Sequence, residues 1–206
     1  MITIIDYGIG NLSSIRNMLS KAGFNSIISG RPEDIADASK ILLPGMGAFD
    51  NCMEKLDQSG LRPLIEKRVL IEKIAVLGIC VGLQMFMQSS EEGLLQGLGW
   101  IKGNTIRFRQ DRMQEERKIP NMGWLDVQFK RASPLLKGLE GSRFYFAHSY
   151  HVELKESSDE LISANYGYEY AVAIEHENIM GVQFHPEKSH RFGMQLLKNF
   201  AMLDKI

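Results

Sequence analysis

The stretch Val76–Gln84 carries the residue pattern best able to do chemistry: Val-Leu-Gly-Ile-Cys-Val-Gly-Leu-Gln. A cysteine stands between two glycines, after a strand-forming apolar run and before a buried helix predicted over Leu83–Met87. That spacing suits a nucleophile elbow, a sharp strand-to-helix turn in which the flanking glycines remove side chains that would clash. Cys80 would then lie at a helix N-terminus, where free backbone N–H groups and the helix dipole favour a thiolate. The N–H of Val81 would face any oxyanion formed beside it. Taken alone, a cysteine in an apolar run is an inert core residue. A second cluster far downstream changes the reading.

That cluster is His185-Pro186-Glu187. Residues two apart on an extended backbone project to the same side, and Pro186 pushes His185 away from helical angles. One ring nitrogen of His185 can meet Cys80 while Glu187 fixes the other, which makes a nucleophile, a base and an orienting carboxylate. A metal site needs three or four ligands at suitable spacing. The other histidines, His148, His151, His176 and His190, show no such spacing, so neither a metal nor a cofactor is expected.

The elements that must position these groups alternate between strands and helices. Strands are predicted at Met1–Ile5, Asn25–Ser29 and Lys40–Leu43, before the elbow strand. The first connection holds a helix with Ile15, Met18, Leu19 and Ala22 at helical spacing and Gly23 as its stop. Helices are predicted over Ala48–Leu56 and Leu61–Val69, with Cys52 as a small buried thiol. The third strand stops at Pro44-Gly45-Met46-Gly47, whose glycines admit a close backbone approach or a peptide flip. From Gly97 to Phe108 the pattern alternates as in a strand, and Gln110–Lys118 reads as a charged loop. Strands follow near Leu125–Phe129, Arg143–Phe146, His151–Leu154, Leu161–Ala164, Ala171–Glu175 and Ile179–Gln183. A helix from about Arg191 carries Phe192, Leu196, Phe200 and Leu203 on one face. Region 100–155 is therefore β-rich and interrupts an α/β pattern.

Bulk composition removes several classes of function. Lys plus Arg total 24 against 25 Asp plus Glu, so no basic field exists to hold nucleic acid or an anionic membrane. Two cysteines make no disulfide framework and fit a reducing cytoplasm. The strand-like start lacks the marks of a secretory signal. The longest mostly apolar run, Ile74–Met87, is short for a membrane span.

Gly78-x-Cys80-x-Gly82-x-Gln84 with His185-Pro186-Glu187 resembles the triad glutamine amidotransferases. The wider chain is similar to their branch of imidazole glycerol phosphate synthase glutaminase subunits. The segments that carry this are Asp6-Tyr7-Gly8-x-Gly10-Asn11, Pro44-Gly45-Met46-Gly47, Met122-Gly123-Trp124, Tyr145-Phe146-x-His148-Ser149-Tyr150 and Gln183 to Ser189. The branch usually has histidine before Met-Gly-Trp and asparagine after it, where this chain has Asn121 and Leu125, positions near the partner-facing region.

The resemblance spans the chain and implies one domain over 1–206. Its fold would be an open, mostly parallel mixed sheet flanked by helices, flavodoxin-like, with the 100–155 region inserted. It implies that Cys80, His185 and Glu187 hydrolyse glutamine through a thioester. Met46, Gly47 and Val81 would serve the oxyanion, and Gly47, Gln84, Ser149 and Tyr150 would hold the substrate. It also implies a separate (β/α)8 synthase subunit that receives the ammonia and makes imidazole glycerol phosphate and an aminoimidazole ribotide. That partner would dock around Asn11, Trp124, Tyr145 and Lys188. Asn121 and Leu125 leave room for another ammonia-dependent synthase, such as a sugar-amidating enzyme of surface-glycan assembly. A cysteine peptidase on a similar elbow is a further reading, opposed by a site that resembles one for a single free amino acid.

Overall fold

A computed structural model of the chain describes residues 1–204. Strands β1 (Ile2–Ile5), β2 (Ser26–Ser29), β3 (Lys40–Gly45), β4 (Ala75–Cys80) and β12 (Ile179–Val182) pair in parallel, in the order β2-β1-β3-β4-β12. Strands β11 (Glu169–His176), β10 (Glu160–Asn165), β7 (Asn121–Phe129) and β8 (Arg143–His148) extend the same sheet in antiparallel fashion. The β-rich region thus supplies β7 and β8, the outer half of the antiparallel wing. It also contributes to a small second sheet of β5 (Ser89–Ser90), β6 (Gly103–Arg107) and β9 (Tyr150–Leu154).

Strands β1, β3 and β4 are buried almost throughout, as sheet centres covered on both faces must be. Helix α1 (Leu12–Lys21) leads from β1 to β2, and α2 (Pro32–Ala36) leads back across to β3. Right-handed crossovers in opposite directions along a sheet place their helices on opposite faces. Helix α6 (His190–Met202) packs beside α1 and buries Gly193, Leu196, Leu197 and Phe200 at helical spacing. Helix α3 (Phe49–Gln58) buries Phe49, Cys52, Met53 and Leu56, and α4 (Arg62–Glu66) passes into a π-helical turn, Lys67–Ile71. Among the described residues, no helix is long and apolar enough to cross a membrane.

Three predicted elements differ from those observed. The helix expected over Leu83–Met87 is a single turn, α5 (Val81–Gln84). The carbonyls of Met85, Phe86 and Met87, which a longer helix would use, instead accept from the N–H groups of Leu98, Ile101 and Gly99. The same exchange makes Gly97–Ile101 a brace behind the elbow, and the strand there begins only at Gly103. Third, β7 starts at Asn121 rather than Leu125, so Met122-Gly123-Trp124 lies within a strand paired to β8. The charged loop forms a short 3₁₀ turn at Gln110–Arg112. Arg109, Arg112 and Arg117 pair there with Glu91, Glu153 and Glu115.

Candidate active site

Cys80 ends β4 with φ 56° and ψ −113°, a left-handed conformation that costs an L-residue strain and marks a nucleophile elbow. The turn works because two backbones meet without side chains. A Cβ on Gly82 would lie 1.9 Å from the Leu43 carbonyl oxygen, and one on Gly45 would lie 2.3 Å from the Gly82 nitrogen. Since α5 is one turn, it offers the sulfur free N–H groups rather than the summed dipole of a long helix.

His185 follows β12 with extended backbone angles, as its proline neighbour requires. Glu187 departs from expectation: it sits in a 3₁₀ turn, Pro186–Lys188, not on an extended strand. The two side chains still meet, with His185 Nδ1 2.8 Å from Glu187 Oε1 and both side chains buried. His185 lines the same cleft as Cys80. Burial alone would lower the histidine, but the hydrogen bonds and charges of Cys80 and Glu187 outweigh it and hold the imidazole at about 10. The loop is clamped to β8: His185 N–H donates to the Tyr145 carbonyl at 2.9 Å, and Ser189 Oγ donates to the His185 carbonyl at 2.7 Å.

Cys80 opens on a cleft of about 350 Å³, within the range of small-molecule sites. Met46, Gly47, Val81, Gln84, Ser149 and Tyr150 all line it. Gln84 turns its amide inward, donating to the Tyr150 carbonyl and to Gln183 Oε1, both at 3.0 Å. Gln183 in turn directs Nε2 at the Cys80 sulfur, 3.8 Å away. The Met46 carbonyl accepts from the buried Cys52 thiol at 3.4 Å, and Gly47 takes φ +86°. Burial pushes the Cys52 thiol up, so it remains a protonated donor.

Sequence reasoning missed Glu92. Its Oε2 accepts from the Phe49 N–H at 2.9 Å, and its side chain lines the cleft. An acidic pair before a glycine reads locally as surface; the Phe49 N–H at the start of α3 holds this carboxylate. Asn121 is corrected too. It is buried, with 1% of its surface exposed, and its amide meets His148 and Tyr170, so it does not face a partner. Leu125 packs on the core.

Three of the four expected docking residues form one patch. The half-buried Trp124 stacks on His190 at 5.4 Å and meets the Tyr145 ring edge-on at 6.1 Å. The Lys188 ammonium lies 5.6 Å from the Tyr145 ring centre. Asn11 is exposed at the start of α1 and takes no part in these contacts.

An elbow cysteine and a histidine–glutamate pair on one cleft define a cysteine-hydrolase class of site, and residues 3–203 match the model of the glutamine amidotransferase class-I family. A putative GMP synthase component from Thermoplasma acidophilum has the same fold, with a TM-score of 0.71 at 18% identity over 97% of this chain and 91% of the other. PurLQS from Thermotoga maritima aligns with a TM-score of 0.70 at 15% identity, over 97% and 96%. Curated relatives are far more similar. Imidazole glycerol phosphate synthase subunit HisH 2 of Pseudomonas aeruginosa is 47% identical, over 98% of this chain and all of its own length. Subunit HisH of Bdellovibrio bacteriovorus is 48% identical over 98% and 99%. Subunit HisH 2 of Methanococcus maripaludis is 48% identical over 97% and 98%. The chain belongs to the class-I glutamine amidotransferases and, within them, to the imidazole glycerol phosphate synthase HisH subunits.

Proposed function

We propose that this single-domain chain is a cytoplasmic glutaminase subunit that releases ammonia from glutamine and passes it to a separate (β/α)8 synthase in histidine biosynthesis. The observation that carries this is His185, held by Glu187 at 2.8 Å, on the cleft that the elbow cysteine Cys80 also lines. Cys80 thiolate attacks the carboxamide carbon, and His185 gives its proton to the departing ammonia. The remaining thioester is hydrolysed by water, from which His185 takes a proton, and Glu187 holds the imidazolium in orientation. The Val81 N–H and a Met46–Gly47 N–H stabilise the oxyanion. Gln84 and the Ser149–Tyr150 main chain hold the amino-acid end, and the Glu92 carboxylate accepts from its α-ammonium. Ammonia is mostly protonated in water near neutral pH, so transfer needs a closed path into the partner. The Trp124, Tyr145 and Lys188 patch, with Asn11, is the proposed docking face.

The test is complementation of a histidine auxotroph lacking its own glutaminase subunit, with the candidate synthases of the source organism supplied one at a time. Growth with the histidine-pathway synthase is the expected result. A second reading rests on one observation: two of the relatives are named subunit HisH 2. A second copy is free to serve another ammonia-dependent synthase, including one that amidates sugars for surface glycans. Failure of complementation, with glutaminase activation by such a synthase, would select it.

A further inference from the structure

We infer that Tyr170 and Asn121 are positioning residues which, acting through His148, fix the Ser149–Tyr150 main chain against which the substrate lies. This rests on the reading of that main chain as the glutamine-holding wall. His148 Nδ1 lies 2.8 Å from the Tyr150 carbonyl oxygen. A carbonyl only accepts, so Nδ1 carries the proton. Burial pushes this imidazole down to about 3, so the ring is neutral and Nε2 holds a free lone pair. Tyr170 Oη stands 3.2 Å from that nitrogen and donates to it. The Asn121 amide donates to Tyr170 Oη at 3.2 Å and approaches Nε2 at 3.3 Å. The opposite tautomer would put two donors against each other at Nε2 and leave the Tyr150 carbonyl without its histidine.

The consequence reaches the cleft. The Tyr150 carbonyl is held from two sides, by His148 and by Gln84 Nε2 at 3.0 Å. The preceding carbonyl, of Ser149, accepts from the Phe108 N–H at 3.1 Å. With both carbonyls bound into the protein, the trans peptides have one orientation available. Gln84 also bonds Gln183, which reaches the nucleophile. Asn121, Tyr170, His148, the Tyr150 carbonyl, Gln84, Gln183 and Cys80 Sγ therefore form an unbroken hydrogen-bonded row from the antiparallel wing to the sulfur. Asn121 stands where the branch usually has histidine, and here it sits in register opposite His148 on the paired strand. Its partner Tyr170 supplies the hydroxyl that lets an asparagine serve at this place.

The experiment measures alkylation of Cys80 on the full chain by two reagents. A diazoketone analogue of glutamine must occupy the glutamine site first, whereas iodoacetamide needs only the thiolate. Tyr170→Phe removes one oxygen and keeps the ring, and Asn121→Ala removes the amide. Each is expected to raise the analogue's half-saturating concentration roughly 2- to 12-fold, the equilibrium worth of one neutral hydrogen bond. The maximal rate with the analogue, the rate with iodoacetamide and the melting temperature of Tyr170→Phe should stay close to those of the parent chain. Unchanged half-saturation in both folded variants would overturn the inference, as would a parallel loss with both reagents. If the parent chain is not alkylated by the analogue, or glutamine does not protect it, the glutamine site itself is lost and this inference goes with it.

Discussion

Replacing Glu187 by glutamine tests the triad with the smallest change of shape. The carboxylate accepts from His185 Nδ1 at 2.8 Å, with both side chains nearly closed off from water. A hydrogen bond to a charged group is worth about 1.5–3 kcal/mol. If the bond matters in the transition state, losing the charge slows turnover about 10- to 150-fold, at 1.36 kcal/mol per decade. The amide oxygen can still accept from Nδ1, so the tautomer survives and the loss should stop well short of the ~10⁴-fold seen when a triad tautomer inverts. Oε2 is buried with no protein donor, so an amide NH₂ placed there finds no ready acceptor and costs about 1–3 kcal/mol of stability. The sign of the pH effect follows from the raised histidine. Its folded value is about 10 against about 6.5 unfolded, so its stabilisation is complete below pH ~6.5 and disappears as pH rises through ~10. Glu187→Gln lowers the folded value, so less stability should be lost across that window. Glutamate release by the complex and urea unfolding at both ends of the window measure the two effects. Turnover within twofold of the parent, with an unchanged pH dependence of unfolding, would refute the assigned role.

Cys80→Ala should abolish glutamine-dependent synthesis while the complex still works with ammonium salts; retained glutaminase activity in that variant would remove the nucleophile assignment. Trp124→Ala should weaken docking by about 2 kcal/mol or more if the patch is a binding hot spot, read as affinity beside the melting temperature of the free chain. A fall in melting temperature with a merely proportionate loss of binding would make Trp124 a packing residue. Cys52→Ala frees the Met46 carbonyl, so the isolated chain should change its basal glutaminase rate several-fold while the complex changes little. Equal basal rates in a folded variant would dismiss the thiol as a restraint on that loop.

The triad was legible because its constraints are local or chemical. Glycines flanking a cysteine describe a turn, and a proline between histidine and glutamate limits how the pair can lie. The alternation of strands and helices likewise gave the parallel half of the sheet, since each element has its own periodicity. What escaped depends on distant chain. Glu92 meets the Phe49 N–H, 43 residues away, and lines the cleft, and no short window contains that contact. Asn121 was placed near the partner-facing region by the family resemblance alone. Starting the strand at Asn121 and pairing it with His148 turns the side chain inward. The Tyr170 hydroxyl that receives it lies on another strand, with no sequence signature of its own.

The close approach of Gly45 and Gly82 bears on any attempt to build this chemistry elsewhere. In the sequence they belong to two separate motifs, but in space they are halves of one contact: a methyl group on Gly82 would strike β3, and one on Gly45 would strike the backbone of α5. An engineer who copied only the cysteine turn into another parallel sheet would place it beside an ordinary residue and force the nucleophile out of position. The transplantable unit is the turn together with the end of the neighbouring strand, and the portable motif is discontinuous.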